Sequence, residues 1–278
     1  MRVPPTRYHH PRRRIGRGIV ATGALAGLAV VAIGVVLTRS HRSATPTECQ
    51  FGAATGITGY AITPVQAQNA AIIAAVALRK GMPDHAASIA LATSLQETQL
   101  RNLPYGDLDS VGLFQQRPSQ GWGTNAQIMD PNYAASAFYD HLAQISGWQT
   151  MAVTEAAQLV QHSAAPDAYA AWENEARALA SAMTGEVPAG LACHLDSYGG
   201  VAPAPTALAE AATSELGTQL LGVPVSTKVG WQVACWAVAH AYTYHLKSVS
   251  FGGSRWTVGS GRWAPAAGAA PGNMITVT

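Results

Sequence analysis

The chain has 278 residues, with 17 Lys and Arg against 15 Asp and Glu, for a formal charge of +2. Eight basic residues lie at or before Arg42 and every acidic one lies after it, so the remainder carries 9 − 15 = −6, a poor match for nucleic acid. Charged residues make up 12% and hydrophobic ones 48%, which excludes a disordered polyelectrolyte and leaves enough apolar material for a core.

Arg2, Arg7, Arg12, Arg13, Arg14 and Arg17 precede an apolar run over residues 19–37 that is broken only by Thr22. At about 1.5 Å per helical residue such a run crosses a hydrocarbon core of about 30 Å. The excess of arginine before it predicts a basic cytoplasmic tail (1–18), a single transmembrane helix (19–38) and an extracytoplasmic remainder at the cell membrane. A cleaved signal peptide has the same basic start, but this run exceeds the usual apolar length of about 7 to 15 residues and no A-x-A site follows. Residues 39–62 are rich in Ser, Thr, Ala and Gly without periodicity and read as a stalk.

Helical punctuation begins at Thr63-Pro64-Val65-Gln66, a capping box with Pro at the first helical position, and the apolar run closes at Gly81. A second helix is expected from Pro83-Asp84 to a stop before Pro104. Residues 105–128 read as one long loop, and long ordered loops are usually functional. Asp130-Pro131 opens a third helix to about Gly147, and two more start at Thr154 and Asp167, the last ending at Gly185. This gives an all-helical domain over 63–193. A Pro and Gly-rich linker (194–206) leads to a small α+β module (207–278), with helices over 206–220 and 230–246 and strands near 249–251, 255–258 and 274–277. The fold class is mainly α.

Cys49 and Cys193 flank the helical domain on the exported side, where a disulfide persists, whereas Cys235 sits inside an apolar helix; Cys49 with Cys193 is the favoured pairing. A Cys235 nucleophile paired with His240 or His245 is disfavoured, because a cysteine in an apolar helix is usually inert. No metal signature is present, since His240 and His245 are five apart, off the helical register for two ligands, and no cofactor is expected.

Ala86, Ala90, Thr93 and Glu97 form one stripe of the second helix, small residues ending in a carboxylate, with room for something bulky beside the acid. Glycosidic cleavage needs an acid to protonate the leaving oxygen, and hydrolases add a second carboxylate. Asp107 and Asp109 are candidates for it, although Asp in a Gly-rich turn often does no more than bond its own backbone.

Glu97-Thr98 followed by Gly112-Leu113-Phe114-Gln115, with eighteen positions from Glu97 to Gln115, resembles the Glu-Ser and Gly-Leu-Met-Gln motifs of soluble lytic transglycosylases and related lysozyme-like domains. The stretch 109–124 looks like a subgroup found in bacterial envelope and phage tail proteins. So do Asp130-Pro131 with Phe138-Tyr139, and Val160-Gln161-His162-Ser163 leading to Pro166-Asp167-Ala168-Tyr169. The resemblance covers about residues 64–193.

It implies a peptidoglycan-cleaving glycosidase in which Glu97 is the single acid/base. Glu97 protonates the bond after N-acetylmuramic acid, then deprotonates that sugar's 6-hydroxyl so that an anhydro ring closes without water. Gln115 matches the substrate-contacting Gln and Thr98 the residue that supports the Glu. Gln116, Tyr139 and Tyr169 are further candidate cleft residues, the tyrosines being equally suited to the core by helical position. The family's Ala-Glu-Asn motif has no match, Ala134-Ala135-Ser136 standing near the expected Asn, and Phe114 replaces Met. A muramidase using Asp107 or Asp109 is the near variant. A catalytically silent peptidoglycan-binding or scaffold protein is the alternative from another class. The partners expected are therefore glycan strands and, through the span, the membrane. The last 73 residues resemble a small domain of other secreted bacterial proteins through Trp231, Trp236, His240, Trp256 and Trp263.

Overall fold

The computed structural model describes residues 47–52, 59–163, 167–266 and 272–278. The expected basic tail, membrane span and most of the expected stalk lie outside these residues. Among the described residues, no helix is long and apolar enough to cross a membrane.

Helix α1 (Pro64–Arg79) starts where the capping box predicts: the Gln66 N–H donates to Thr63 Oγ1, and the Thr63 N–H donates to Gln66 Oε1 at 2.9 Å. Most of its residues are buried, many of them alanines, so neighbouring helices approach it from several sides. Helix α2 (Asp84–Thr98) ends six residues before Pro104, because Gln99 and Leu100 both take left-handed conformations with φ of 53° and 58°. The Leu100 N–H then closes on the Ser94 carbonyl at 3.1 Å.

The expected 105–128 loop contains a 3₁₀ turn at Pro118–Gln120 and a short helix α3 (Asn125–Ile128), started by a second capping box from Thr124 and Gln127. Helix α4 (Pro131–Ala143) is capped by Asp130, which accepts from the Asn132 N–H at 3.0 Å. A 3₁₀ turn at Trp148–Thr150 and helix α5 (Val153–Gln161) follow. The helix expected from Asp167 is instead a 3₁₀ segment, Ala168–Trp172, running into α6 (Glu173–Met183). Among these elements α2 packs most extensively against α6 and α5, and α1 against α4.

Part of the expected stalk is sheet. Strands β1 (Glu48–Phe51), β2 (Tyr60–Ile62) and β3 (Leu191–His194) form an antiparallel sheet in the order β2-β1-β3. Cys49 and Cys193 face each other in the β1–β3 register and are joined by a disulfide with an S–S distance of 2.02 Å. Cys235 is a free, buried thiol.

Beyond the linker, α7 (Pro205–Leu216) ends at Gly217, four residues short of expectation. The single helix expected over 230–246 starts earlier and divides into α8 (Thr227–Ala239) and α9 (Ala241–Tyr244). Strands β4 (Ser248–Phe251), β5 (Ser254–Thr257), β6 (Trp263–Pro265) and β7 (Thr276–Val277) make an antiparallel sheet ordered β6-β5-β4-β7, of which β6 had no sequence signal. The architecture is mainly α with two small antiparallel sheets.

The C-terminal elements pack on the helical ones within a single compact unit, Pro46–Thr278. Helices α7 and α8 lie on α1, and α8 also touches β3. The indole N–H of Trp256 donates to the Cys193 carbonyl at 3.0 Å and that of Trp263 to Leu191 at 2.7 Å, tying the second sheet to β3. Gly230 on α8 is required by close approach, since a Cβ there would stand 1.8 Å from the Phe251 ring.

The disulfide closes a loop across 144 positions, which restricts the unfolded chain and stabilises by about 3–5 kcal/mol. A Cys49→Ser/Cys193→Ser chain is therefore expected to lose about that much in urea denaturation with a larger m-value, because its unfolded state is less restricted, and an unmoved midpoint would contradict this.

Candidate functional site

Glu97 is the penultimate residue of α2 and is half-buried. Two donors meet its Oε1: the Tyr169 hydroxyl at 2.7 Å and Gln161 Nε2 at 3.3 Å. Among the described residues no hydrogen bond reaches Oε2. Burial first, then the charge of Glu97 and the hydrogen bond to it, push the Tyr169 phenol far above its ordinary range, so it stays a donor throughout the physiological range.

The loop carrying the Gly-Leu-Phe-Gln sequence is held against the end of α2. Val111 and Gln116 exchange backbone hydrogen bonds of 3.0 and 3.1 Å, making residues 112–115 a closed turn. Gly112 allows this with φ 81°, and a Cβ there would stand 2.7 Å from the Ile128 carbonyl. The Leu113 carbonyl accepts from Ser94 Oγ at 3.1 Å and Thr98 Oγ1 at 2.9 Å. The Phe114 carbonyl accepts the other hydrogen of Gln161 Nε2 at 2.8 Å. Gln161 thus bridges Glu97 to the loop.

Gln115 takes a left-handed conformation (φ 50°), and its Nε2 donates to the Tyr105 and Gly112 carbonyls, each at 3.3 Å. Gly106 leaves the space for this side chain, since a Cβ there would lie 1.8 Å from Gln115 Oε1. Gln115 is half-buried and belongs to the same turn as the carbonyl that holds Gln161, but it makes no hydrogen bond to Glu97.

Several expected contact residues have other work. Tyr139 is 0% exposed, and its hydroxyl donates to the Ile73 carbonyl at 3.0 Å, so it is core and not a cleft aromatic. Gln116 is buried with Nε2 donating to the Ala134 carbonyl at 3.0 Å, which fixes the loop to α4 and removes it from any surface a glycan could touch. Thr98 is buried and acts on Leu113, in keeping with a supporting role only. Tyr169 is buried too and serves as the partner of Glu97, not as an exposed stacking face. Ala86, Ala90 and Thr93 are fully buried, so the small-residue stripe is filled by packing and not left open beside the acid.

Asp109 is committed elsewhere. It pairs with Arg117 Nε at 2.7 Å and accepts from the Ser119 N–H at 2.8 Å and Ser119 Oγ at 3.0 Å. The Arg117 hydrogen bond, then those of Ser119, hold its carboxyl well below the usual carboxylate range. It clasps the loop as a permanent anion, which argues against the general-base role. Asp107 is exposed, and its carbonyl accepts from the Ser110 N–H at 3.0 Å.

Gln161 was legible only as part of the Val-Gln-x-Ser segment. Trp172, whose indole donates to Gln96 Oε1 at 2.7 Å, had no signal of its own. Cys235 is buried, which pushes its thiol up to about 11, and His240 bonds Glu215 and the Trp236 carbonyl, so no Cys–His pair forms. Among the described residues no three His, Cys, Asp or Glu side chains gather as a metal site. No protein-family model and no curated protein matches the chain.

The Asp109 clasp has a defined pH dependence. A carboxyl whose folded value is depressed contributes fully above its ordinary value of 3.8 and loses that contribution as pH falls towards the folded value. The Ser119 amide resonance is expected to stay flat from pH 7 to about 4 and to move only below it. Asp109→Asn should shift that resonance at every pH; a midpoint above 4 in the native chain would refute the clasp.

Proposed function

We propose that the chain cleaves the glycan strand of peptidoglycan by lytic transglycosylation, with Glu97 as the single acid/base. The observation that carries this reading is the asymmetric environment of the carboxylate. With both donors on Oε1, the proton of the acid form belongs on Oε2, the oxygen without a protein partner among the described residues. Such an oxygen is oriented yet free to give and retrieve a proton. The resemblance of Glu97-Thr98, Gly112 to Gln115 and the Val160-Gln161 segment to lysozyme-like transglycosylases supplies the substrate class.

In the first step Glu97 Oε2 passes its proton to the glycosidic oxygen as the C1–O bond breaks. In the second, the carboxylate takes the proton of the 6-hydroxyl while O6 bonds to C1, closing the 1,6-anhydro ring and restoring the acid. Water is not consumed and no second carboxylate is needed, which agrees with the commitment of Asp109 to Arg117 and Ser119. Tyr169 and Gln161 hold the carboxylate's orientation in both steps. The segment 19–38 would anchor the enzyme with this site on the outer side of the cell membrane.

Incubation of the chain with purified peptidoglycan is expected to release muropeptides with anhydro ends, read by mass spectrometry. Glu97→Gln should reduce release by at least about 100-fold, the usual worth of a general acid. Hydrated ends would indicate the hydrolytic variant, and binding to the polymer without release by the native chain would indicate the silent wall-binding protein. Tyr169→Phe removes one charge-assisted hydrogen bond worth about 1.5–3 kcal/mol and should lower the rate about tenfold or more at unchanged substrate binding. Full activity in that variant would sink the positioning role.

A further inference from the structure

Away from Glu97, a cavity of about 410 Å³ opens where α1, the turn into α2, the end of α6 and the first turns of α8 meet. Its walls are short and apolar, chiefly Ala74, Ala77, Leu78, Met82 and Val229. Gln232 also lines it. That residue is only 5% exposed overall, it is not among the buried unpartnered groups, and no hydrogen bond ties its side-chain amide to another described residue, which leaves the amide facing the cavity. At the rim Lys228 pairs with Asp84. Hydrogen bonding to Asp84, then burial, raises the Glu186 carboxyl, so Asp84 has both a cation and an acid to satisfy it. An ammonium carries three donors, and the Asp84 contact uses one of them.

We infer that this cavity is a binding site for a short peptide with small aliphatic side chains and a free C-terminal carboxylate. A primary amide offers a donor and an acceptor side by side, which is the complement of a peptide group. The apolar walls accept methyl-sized or slightly larger side chains, and the remaining Lys228 donors at the rim meet the carboxylate. The volume falls within the range of about 300–1,000 Å³ usual for small-molecule sites. The inference is independent of what Glu97 does, because no residue is shared between the two places.

Isothermal titration of the full chain with Ala-Ala-Ala tests it, beside the N-acetylated and C-amidated forms of the same tripeptide. The free and acetylated peptides are expected to bind equally, at Kd of about 1 mM or tighter, and the amidated one at least tenfold more weakly. Gln232→Leu, which keeps the side-chain volume, should weaken the free peptide at least tenfold while the near-ultraviolet circular dichroism is unchanged. Lys228→Met should erase the difference between the free and amidated forms. If Gln232→Leu does not fold, Ala77→Val decides by narrowing the cavity without touching a polar group, and it should weaken binding at least fivefold. Absence of saturable binding of the free peptide up to about 10 mM, or equal binding of native chain and cavity variants, overturns the proposal.

Discussion

The Leu113 carbonyl receives two hydroxyls, from Ser94 at 3.1 Å and Thr98 at 2.9 Å, and this convergence couples the end of α2 to the turn that follows it fifteen residues later. All three residues are buried; without the turn the Ser94 hydroxyl would lose its partner at a cost of about 1–3 kcal/mol, whereas Thr98 Oγ1 would keep the Ser94 carbonyl at 3.1 Å. The next carbonyl, that of Phe114, orients Gln161, and Gln161 in turn orients Glu97. With Tyr169 of the 3₁₀ segment on the same oxygen, the carboxylate is positioned from four elements at once: α2, the 112–115 turn, the end of α5 and the segment Ala168–Trp172. The core beneath them fixes those elements, because α2 is buried along most of its length against α5 and α6.

Backbone strain is concentrated at the same place. Gln99 and Leu100 end α2, Gln115 ends the turn and His162 ends α5, all with φ between 50° and 58° and none of them glycine. Each such residue costs of order 1 kcal/mol, and such conformations persist only where surrounding contacts over-determine them. Here the contacts are identifiable. The Gln99 carbonyl accepts from Gln66 Nε2 at 2.8 Å and the Leu100 carbonyl from Asn69 Nδ2 at 2.7 Å, both from α1. Helix α1 thus holds the abrupt stop of α2 that leaves Glu97 at a helix end, facing Tyr169.

Much of this was legible in the sequence, but unevenly. Capping boxes, Asp-Pro and Pro-Asp starts and glycine stops located most helices, because those signals are local hydrogen-bond chemistry. The linear motif that pairs Glu97 with the Gly112 turn, Gln161 and Tyr169 names residues that do meet in space. The Ala86, Ala90 and Thr93 stripe misleads, and Tyr139 stays open between core and cleft, for one physical reason: helical period marks a face, and a core face and a cleft face share the same period. The pairing of Cys49 with Cys193 is legible from the sequence, but β1 and β2 read as stalk because they have three or four residues each and the β1–β3 register leaves no local trace. The α2 stop at Gln99 was missed because left-handed backbone at a non-glycine residue is imposed by tertiary bonds and not by propensity.

The C-terminal elements bear on the candidate site through the same helix. An alanine-rich helix like α1 buries little area per residue, so it is stable only when enclosed on several sides. Helix α4 covers one side and α2 another, α6 and β1 add smaller contacts, and α7 and α8 supply the rest. Helix α8 is locked in turn to the disulfide-bearing strand, since it packs on β3 while Trp256 and Trp263 bond that strand's carbonyls, and α7 is held to α8 by the Trp236 indole donating to Glu215. The last 73 residues therefore complete the enclosure of the helix whose Gln66 and Asn69 pin the end of α2. Loosening α7 or α8 would free α1 and, through it, the strained stop that presents Glu97. The physical link between the C-terminal sheet and the carboxylate runs through buried alanines and two amide side chains, with no contact between them.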